Sequence, residues 1–402
     1  MISFLEAREK ILSLPFSFSS QTVSLSKALG CYLYNDLLAP SSLPLWNNSA
    51  MDGYAFRWDD FTTEEERQGF LPIAFNIAAG QVEPPLLPKG TVARIMTGAP
   101  MPHNADTVVM QENVIQGPDH CIQIQSFPTK GRNVRIAGEE ISRNDIVIPK
   151  GTRLGAAEIG LCASLGITEL TVFAIPMIGI IATGDELQIP GTELQFGEIW
   201  SSNTLSLQMA LRELGFDGKD YGIARDNLSS TKAVFKQALE ECDIILSTGG
   251  VSVGDFDVVK DALDEFEIEM EFWKVRMKPG KPIAFGSISG TPIFALPGNP
   301  VSAMTSFYQF LRPFLLSKMH SPKVFLPSCT AVLEHDIQKK NSRLDFQRVI
   351  VEWREGTLYV RQTGSQSSAW ISSLVQANAL LPIAADCHYL EKGSTVVVEL
   401  LP

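Results

Sequence analysis

Acidic residues recur in short loops of this chain: Asp185 and Glu186 in TGDEL (183–187), Asp226 after GIAR, and Asp255 with Asp257 in GGVSVGDFD (249–257). Such a group repels phosphate unless a hard cation lies between, and Mg²⁺ is commonly held by one or two carboxylates plus substrate phosphates. The pattern therefore implies Mg²⁺ and a phosphorylated ligand, although any one of these residues also reads as solvated loop charge. In the same stretch, WKVRMKPGKP (273–282) supplies cations. Pro279 and Pro282 oppose a helix, and in an extended chain Lys274, Arg276 and Lys278 fall on one side, with Lys281 after the turn. A cationic strip of this kind suits an oxyanion.

Two further loops could cradle an anion. Gly249, Gly250 and Gly254, with Ser252 among them, are spaced like the start of a phosphate loop, but Asp255 stands where that motif needs Lys, so this is not a Walker A site and the loop alone reads as a turn rather than a nucleotide cradle. In Pro297-Gly298-Asn299-Pro300, Asn299 and Pro300 form an N-cap and first-turn pair. The N–H groups near Val301 and Ser302 would then be available to an anion, as in any capped helix start. No protein nucleophile stands out: the five histidines are scattered and no GxSxG elbow occurs. The residues suit a site that positions anions and metal while the substrate brings its own nucleophile.

Positioning these loops requires a parallel sheet with covering helices. Continuous apolar runs at 177–183, 243–248, 282–286 and 292–296 read as strands buried on both faces, and ligands of such sheets lie beyond the strands' carboxyl ends. Helices are expected near 204–214, 231–242, 258–266 and 301–318, with Gly215 as a stop. Upstream, helical spacing appears at Phe4, Ala7, Ile11 and Leu12, over 24–34, and near 156–165. Short strand-like runs such as VARIM and TVVMQ define a β-rich stretch over about 48–138, and RVIVEW, LYVRQ and TVVVEL a terminal β-barrel or sandwich.

Composition narrows the function. The 402 residues exceed one ordinary domain, and a net charge of -12 disfavours nucleic acid and anionic membrane as partners. The six cysteines form no CxxC pair, the opening residues MISFLEAREK lack a secretory pattern, and the run FAIPMIGIIA is too short to span a bilayer. A cytoplasmic protein is expected.

Seven motifs in order, NSAMDGYA (48–55), MTGAPMPHNADTVVMQE (96–112), NVRIAGEEI (133–141), TGDEL, STGGVSVGDFD (247–257), MKPGKP (277–282) and LPGNPVSA (296–303), resemble the MoeA and gephyrin E-domain family of molybdopterin molybdenumtransferases. The resemblance spans nearly the whole chain. It implies a multidomain α/β plus β protein: an elongated discontinuous domain (1–47 and 139–175), a β-rich domain (48–138), a doubly wound α/β molybdopterin-binding domain (176–325) and a C-terminal β-barrel (326–402). The implied activity inserts molybdate into adenylylated molybdopterin and releases AMP, the last step of molybdenum cofactor synthesis. The implied enzyme is a homodimer that makes transient contacts with the adenylylating enzyme and with apo-molybdoenzymes.

The implied site joins Asp52 and Thr97, which the residues alone would assign to tight turns, to Glu186, Asp226, Asp257, Lys274 and Lys278. Glu186, Asp226 and Asp257 would hold Mg²⁺, and Ser368 would reach the cleft from the C-terminal domain. The chain departs from the family pattern in three places. Glu140 stands for the usual Asp, Ser201 for another Asp, and Val258-Val259 for Tyr-Thr. A nucleotide pyrophosphatase sharing the α/β unit, or a receptor scaffold of the gephyrin kind, are the competing expectations.

Overall fold

The computed structural model describes residues 1–250 and 258–402, so Ser252, Gly254, Asp255 and Asp257 lie outside the described residues. Contacts divide the chain into one unit of residues 1–35, 150–155 and 169–402, and another of residues 36–149 and 156–168. No helix among the described residues is long and apolar enough to cross a membrane.

The first unit is built on a six-stranded sheet in the order Gly218–Ala224, Ile178–Thr183, Ile244–Thr248, Thr291–Leu296, Ala284–Ile288, Glu269–Trp273. Successive residues of a strand face opposite sides. Ile244 and Leu246 accordingly enter a core with Leu207, Leu211, Phe310 and Phe314, while Ile245 enters a second core with Phe235, Ala238 and Leu263. Helices Asn203–Glu213 and Pro300–Ser306, the latter continuing through a π segment to Lys318, cover the first side; Leu228–Glu241 and Val258–Glu265 cover the other. Burying each such Leu, Ile or Phe contributes on the order of 2 kcal/mol, which makes the two-sided core the main stabiliser of this doubly wound layer. Local signals set the helix ends. The Asn227 side chain accepts from Ser230 N–H at 2.9 Å, and Gly215, at φ +88°, ends its helix with Phe216 N–H on the Leu211 carbonyl.

Two local expectations are corrected. The sheet is not all parallel: Ala284–Ile288 runs antiparallel to both neighbours. Ser289 and Gly290, at φ +49° and +86°, form the two-residue turn that returns the chain at once to Thr291–Leu296. Nor do residues 24–34 form a helix. Strand Ser20–Ser24 pairs with Glu169–Phe173, a 3₁₀ turn covers Leu25–Lys27, and the next N–H groups bond distant carbonyls, Gly30 to Leu154 at 2.8 Å and Leu33 to Thr152 at 3.0 Å. Those long-range bonds satisfy the groups a helix would have used.

Downstream in the same unit, Leu344–Arg354, Thr357–Gln362, Ser328–Leu333, Thr395–Leu400 and Ala379–Ile383 form a closed five-stranded barrel. Pairing of Asp345–Val349 with Ala379–Ile383 supplies the closure. Its interior is aliphatic, with Leu333, Val349, Val360, Leu381 and Val398. The short strand Met277–Lys278 of the cationic run joins it, parallel to Leu344–Asp345.

The second unit carries its own six-stranded sheet, ordered Thr107–Met110, Gly53–Phe56, Val92–Ile95, Leu71–Ile77, Cys121–Ile124, Val114–Gln116. Phe56, Phe61, Val92, Val109 and Ile122 fill its main core. Gly53 has no room for a side chain, since a Cβ there would lie 2.0 Å from the Val109 carbonyl oxygen. Helix Glu64–Gln68 opens with a Thr63/Glu66 capping box.

Candidate active site

The carboxyl ends of Ile178–Thr183, Ile244–Thr248 and Thr291–Leu296 open into a cleft of about 1070 Å³ within the first unit. Glu186 and Asp226 line one side, and Gly249 and Gly250 leave the central strand. Pro297, Asn299, Pro300 and Ser302 follow the third strand. Lys278 and Lys281 come from the cationic run, and Ser368 from the barrel. Loops far apart in sequence thus contribute both acidic and basic groups to one cavity.

The glycines are required where they stand. Gly249 adopts φ +94° and a Cβ on it would lie 2.2 Å from the Thr183 carbonyl oxygen; Gly250 adopts φ +64° with a Cβ position 2.4 Å from Val259 Cγ2. Only glycine lets the backbone turn this close to the neighbouring strand. Asn203, which sequence reasoning passed over, holds the floor together. Its Nδ2 donates to Thr248 Oγ1 and to the Gly298 carbonyl, each at 2.7 Å, tying the start of one helix to two strand-end loops.

On the acidic side, Asp226 and Asp185 brace each other. Asp226 N–H donates to Asp185 Oδ1 at 3.0 Å, and Asp185 N–H donates to Asp226 Oδ2 at 3.3 Å. Arg225 Nη1 donates to the Asp185 carbonyl at 2.9 Å and holds the same turn. Among the described residues no three His, Cys, Asp or Glu side chains gather at metal-binding distance.

The helix start after Asn299 differs from the sequence expectation. Val301 N–H is not available to an anion, because it donates to the Ser368 carbonyl at 3.2 Å. The Asn299 side chain does not cap its helix; its Nδ2 donates instead to Ser368 Oγ at 3.2 Å. The barrel loop carrying Ser368 therefore sits on the helix N-terminus as part of the wall.

A buried cation holds that loop in place. Arg348, 1% exposed, donates from Nη2 to the Ser367 carbonyl at 3.0 Å and from Nε to Ser373 Oγ at 3.2 Å, while its backbone N–H meets Gln366 Oε1 at 2.8 Å. Burial lowers its guanidinium to a pKa of about 10. No local signal marks it, since its strand LDFQRVIVEWR carries other polar and charged residues. Arg343 also lines the cleft and was missed; its Nη1 donates to the Met277 carbonyl at 3.3 Å.

Within the cationic run, Val275 and Met277 are buried and Lys274, Arg276 and Lys278 alternate with them. Lys278 and Lys281 line the cleft, whereas Lys274 and Arg276 are outside its lining. Lys278 Nζ lies 3.4 Å from Asp345 Oδ2.

The remaining candidates belong to the second unit. Asp52 Oδ1 accepts from Thr97 N–H at 2.7 Å and from Thr97 Oγ1 at 2.8 Å. The backbone bond first, then the hydroxyl, hold the Asp52 carboxyl below its ordinary range. Glu140 is exposed, its backbone N–H on the Leu43 carbonyl.

A doubly wound layer with an anion-suited cleft at its strand ends, a closed barrel and a separate β-rich unit define a multidomain protein of the molybdopterin-binding class. Residues 2–166 match the model of the MoeA N-terminal region (domain I and II), 179–317 that of the probable molybdopterin binding domain, and 330–401 that of the MoeA C-terminal region (domain IV). The molybdopterin molybdenumtransferase of Haemophilus influenzae is 34% identical over 99% of this chain and 98% of its own length. Molybdopterin molybdenumtransferase 2 of Mycobacterium tuberculosis is 37% identical over 94% of each. The crystal structure of a molybdopterin biosynthesis MoeA protein from Pyrococcus horikoshii superposes with a TM-score of 0.86 at 27% identity, covering 100% of both chains. The chain belongs to the MoeA family of molybdopterin molybdenumtransferases.

Proposed function

We propose that this protein inserts molybdate into adenylylated molybdopterin and releases AMP, the final step of molybdenum cofactor synthesis. The observation that carries this reading is the single cleft in which acidic, glycine-rich, cationic and barrel loops of the family's motifs meet. Full-length similarity to molybdopterin molybdenumtransferases supports it.

Lys278 and Lys281, with Arg343 also in the lining, would hold molybdate, a doubly charged oxyanion; Lys274 and Arg276 belong to the same cationic run but lie outside the cleft lining. The Gly249–Gly250 turn packs against Thr183 and Val259 and forms the floor of the cleft, and Asn299, Pro300, Ser302 and Ser368 shape the wall beside it. Pro297, though buried, also lines the cleft. The substrate's two dithiolene thiols would supply the nucleophiles, each displacing an oxo ligand of molybdenum. The two oxo groups would leave as water with protons from the thiols and solvent, a water would cleave the phosphoanhydride to release AMP, and no oxidation state changes. Positioning two anions against each other is then the protein's main contribution.

The donor chemistry of the cleft fits Mg²⁺: two carboxylates, Glu186 and Asp226, line it together, and Mg²⁺ is ordinarily satisfied by one or two carboxylates with phosphates and water. Asp257, outside the described residues, would join them. When bound, the ion would neutralise the pyrophosphate of the adenylylated substrate. We read the working enzyme as a cytoplasmic homodimer of four-part subunits divided as 1–47 with 139–175, 48–138, 176–325 and 326–402. In it the partner's Asp52 and the partner's Thr97 would face the cleft, with Glu140 a further catalytic candidate at the position of the family's usual Asp; the occurrence of Asp52 and Thr97 in the family's ordered motifs supports that reading. Transient contacts with the adenylylating enzyme and with apo-molybdoenzymes follow from the same reading.

The test is AMP release from adenylylated molybdopterin by the purified protein with Mg²⁺, with and without molybdate. Molybdate-dependent release, yielding a product that activates an apo-molybdoenzyme, is expected. Release independent of molybdate would instead mark a pyrophosphatase, and none a scaffold.

A further inference from the structure

Behind Lys278 lies a carboxylate that the family motifs do not name. Asp345 is the register partner of Lys278 in the short parallel ladder between Met277–Lys278 and Leu344–Asp345. Its side chain is 2% exposed against 37% for Lys278, so one partner is buried in the barrel edge while the other reaches the cleft. Asp345 Oδ2 accepts from Asn341 Nδ2 at 3.0 Å and faces Lys278 Nζ at 3.4 Å. Its Oδ1 is buried with no hydrogen-bond partner among the described residues. A buried carboxylate left half-satisfied is costly, and an apolar residue would suit a barrel edge better.

We propose that Asp345 is a positioning residue for molybdate capture, with Asn341 fixing Oδ2 and Oδ2 fixing the Lys278 ammonium at the cleft wall. This rests on the reading of the cleft as a molybdate site. An ammonium has several N–H donors on a flexible stem; one held by Asp345 leaves the others for an oxyanion and removes the disorder that a free lysine would lose on binding. The competing role is structural, since Arg348 is buried three residues along the same strand and the Asp345 charge offsets part of the cost of its burial.

A kinetic double-mutant cycle separates the two. Asp345→Asn keeps the shape but removes the charge, and is expected to raise the molybdate KM about tenfold while the KM for adenylylated molybdopterin stays within about twofold. In a Lys278→Met background the same change should raise the molybdate KM no further, because the group it acts through is gone. An unchanged molybdate KM in Asp345→Asn, or an equal additional loss in the Lys278→Met background, overturns the proposal. Should Asp345→Asn fail to fold, Asn341→Ala provides the test: with Oδ2 no longer fixed, the molybdate KM should rise about threefold, and no rise overturns the proposal. Molybdate-independent AMP release by the wild-type protein would sink the functional reading itself, a result visible before any variant is made.

Discussion

Asp52 Oδ1 receives both donors of a single residue, the N–H of Thr97 at 2.7 Å and its hydroxyl at 2.8 Å, although 45 positions separate the two in sequence. The paired bonds join the turn before Gly53–Phe56 to the turn after Val92–Ile95. Because both bonds favour the ionised carboxylate, Asp52 titrates below its ordinary value. Thr97→Val keeps the backbone bond and removes the hydroxyl, so the titration should move up towards the ordinary value. A depressed carboxylate adds stability above its unfolded pKa and loses it as pH falls through the folded value, so the variant, with its folded value raised, should lose that contribution at higher pH. Carboxyl carbon NMR against pH reads the shift directly, and an unmoved Asp52 resonance would discount the hydroxyl.

Gly249 should be the least replaceable residue of the cleft. Alanine there meets both a positive φ and the Thr183 carbonyl at 2.2 Å, whereas at Gly191, with φ +94°, a Cβ has open space. Denaturant unfolding should show a loss of roughly 2–4 kcal/mol for Gly249→Ala and about 1 kcal/mol for Gly191→Ala, since the second has backbone strain alone. Equal losses would mean that the close approach is not what matters.

Asn203 is expected to govern activity without touching a charged group. Asn203→Ala leaves the Gly298 carbonyl and Thr248 hydroxyl without their shared donor. The expected cost is about 1–3 kcal/mol of stability, with a fall in kcat/KM of roughly tenfold or more as the two strand-end loops lose register. A stable variant with full activity would show that the loops are held by the strands alone.

Glu186 and Asp226 should set the metal requirement. Chelation is expected to abolish AMP release, and Glu186→Gln or Asp226→Asn should each raise the half-saturating Mg²⁺ concentration by about tenfold. Asp185→Asn removes no carboxylate that lines the cleft, but it disturbs the reciprocal backbone pairing with Asp226 and should give a smaller shift. Identical Mg²⁺ curves for wild type and both cleft variants would remove these two residues from the metal.

Much of this molecule is legible in local sequence. Continuous apolar runs identify strands covered on both faces, because each neighbouring side chain must enter one core or the other, as Ile244 and Ile245 do. Gly215 marks a helix end for a reason contained within a few residues, whereas Gly249 and Gly250 combine a locally legible positive φ with a close approach to Thr183 and Val259 that no local pattern shows. The ordered motifs carry the family, and with it the chemistry expected at the strand ends.

Other features depend on partners that no local pattern contains. The stretch 24–34 has helical spacing, yet carbonyls of Leu154, Thr152 and Thr171 take its N–H groups. The helix start after Asn299 has the composition of an anion site, yet the Ser368 carbonyl occupies Val301 N–H. Asn203, Arg343, Arg348 and Asp345 sit in ordinary contexts and acquire their roles from what packs against them. Periodicity and turn chemistry act over a few residues, so the sequence alone determined the apolar strands and covering helices of the α/β layer, their faces and the residue types at their ends. Which distant loops share a cavity, and which buried charges find partners, was decided by sheet register and core packing, because those bonds form only between segments that the completed fold brings together.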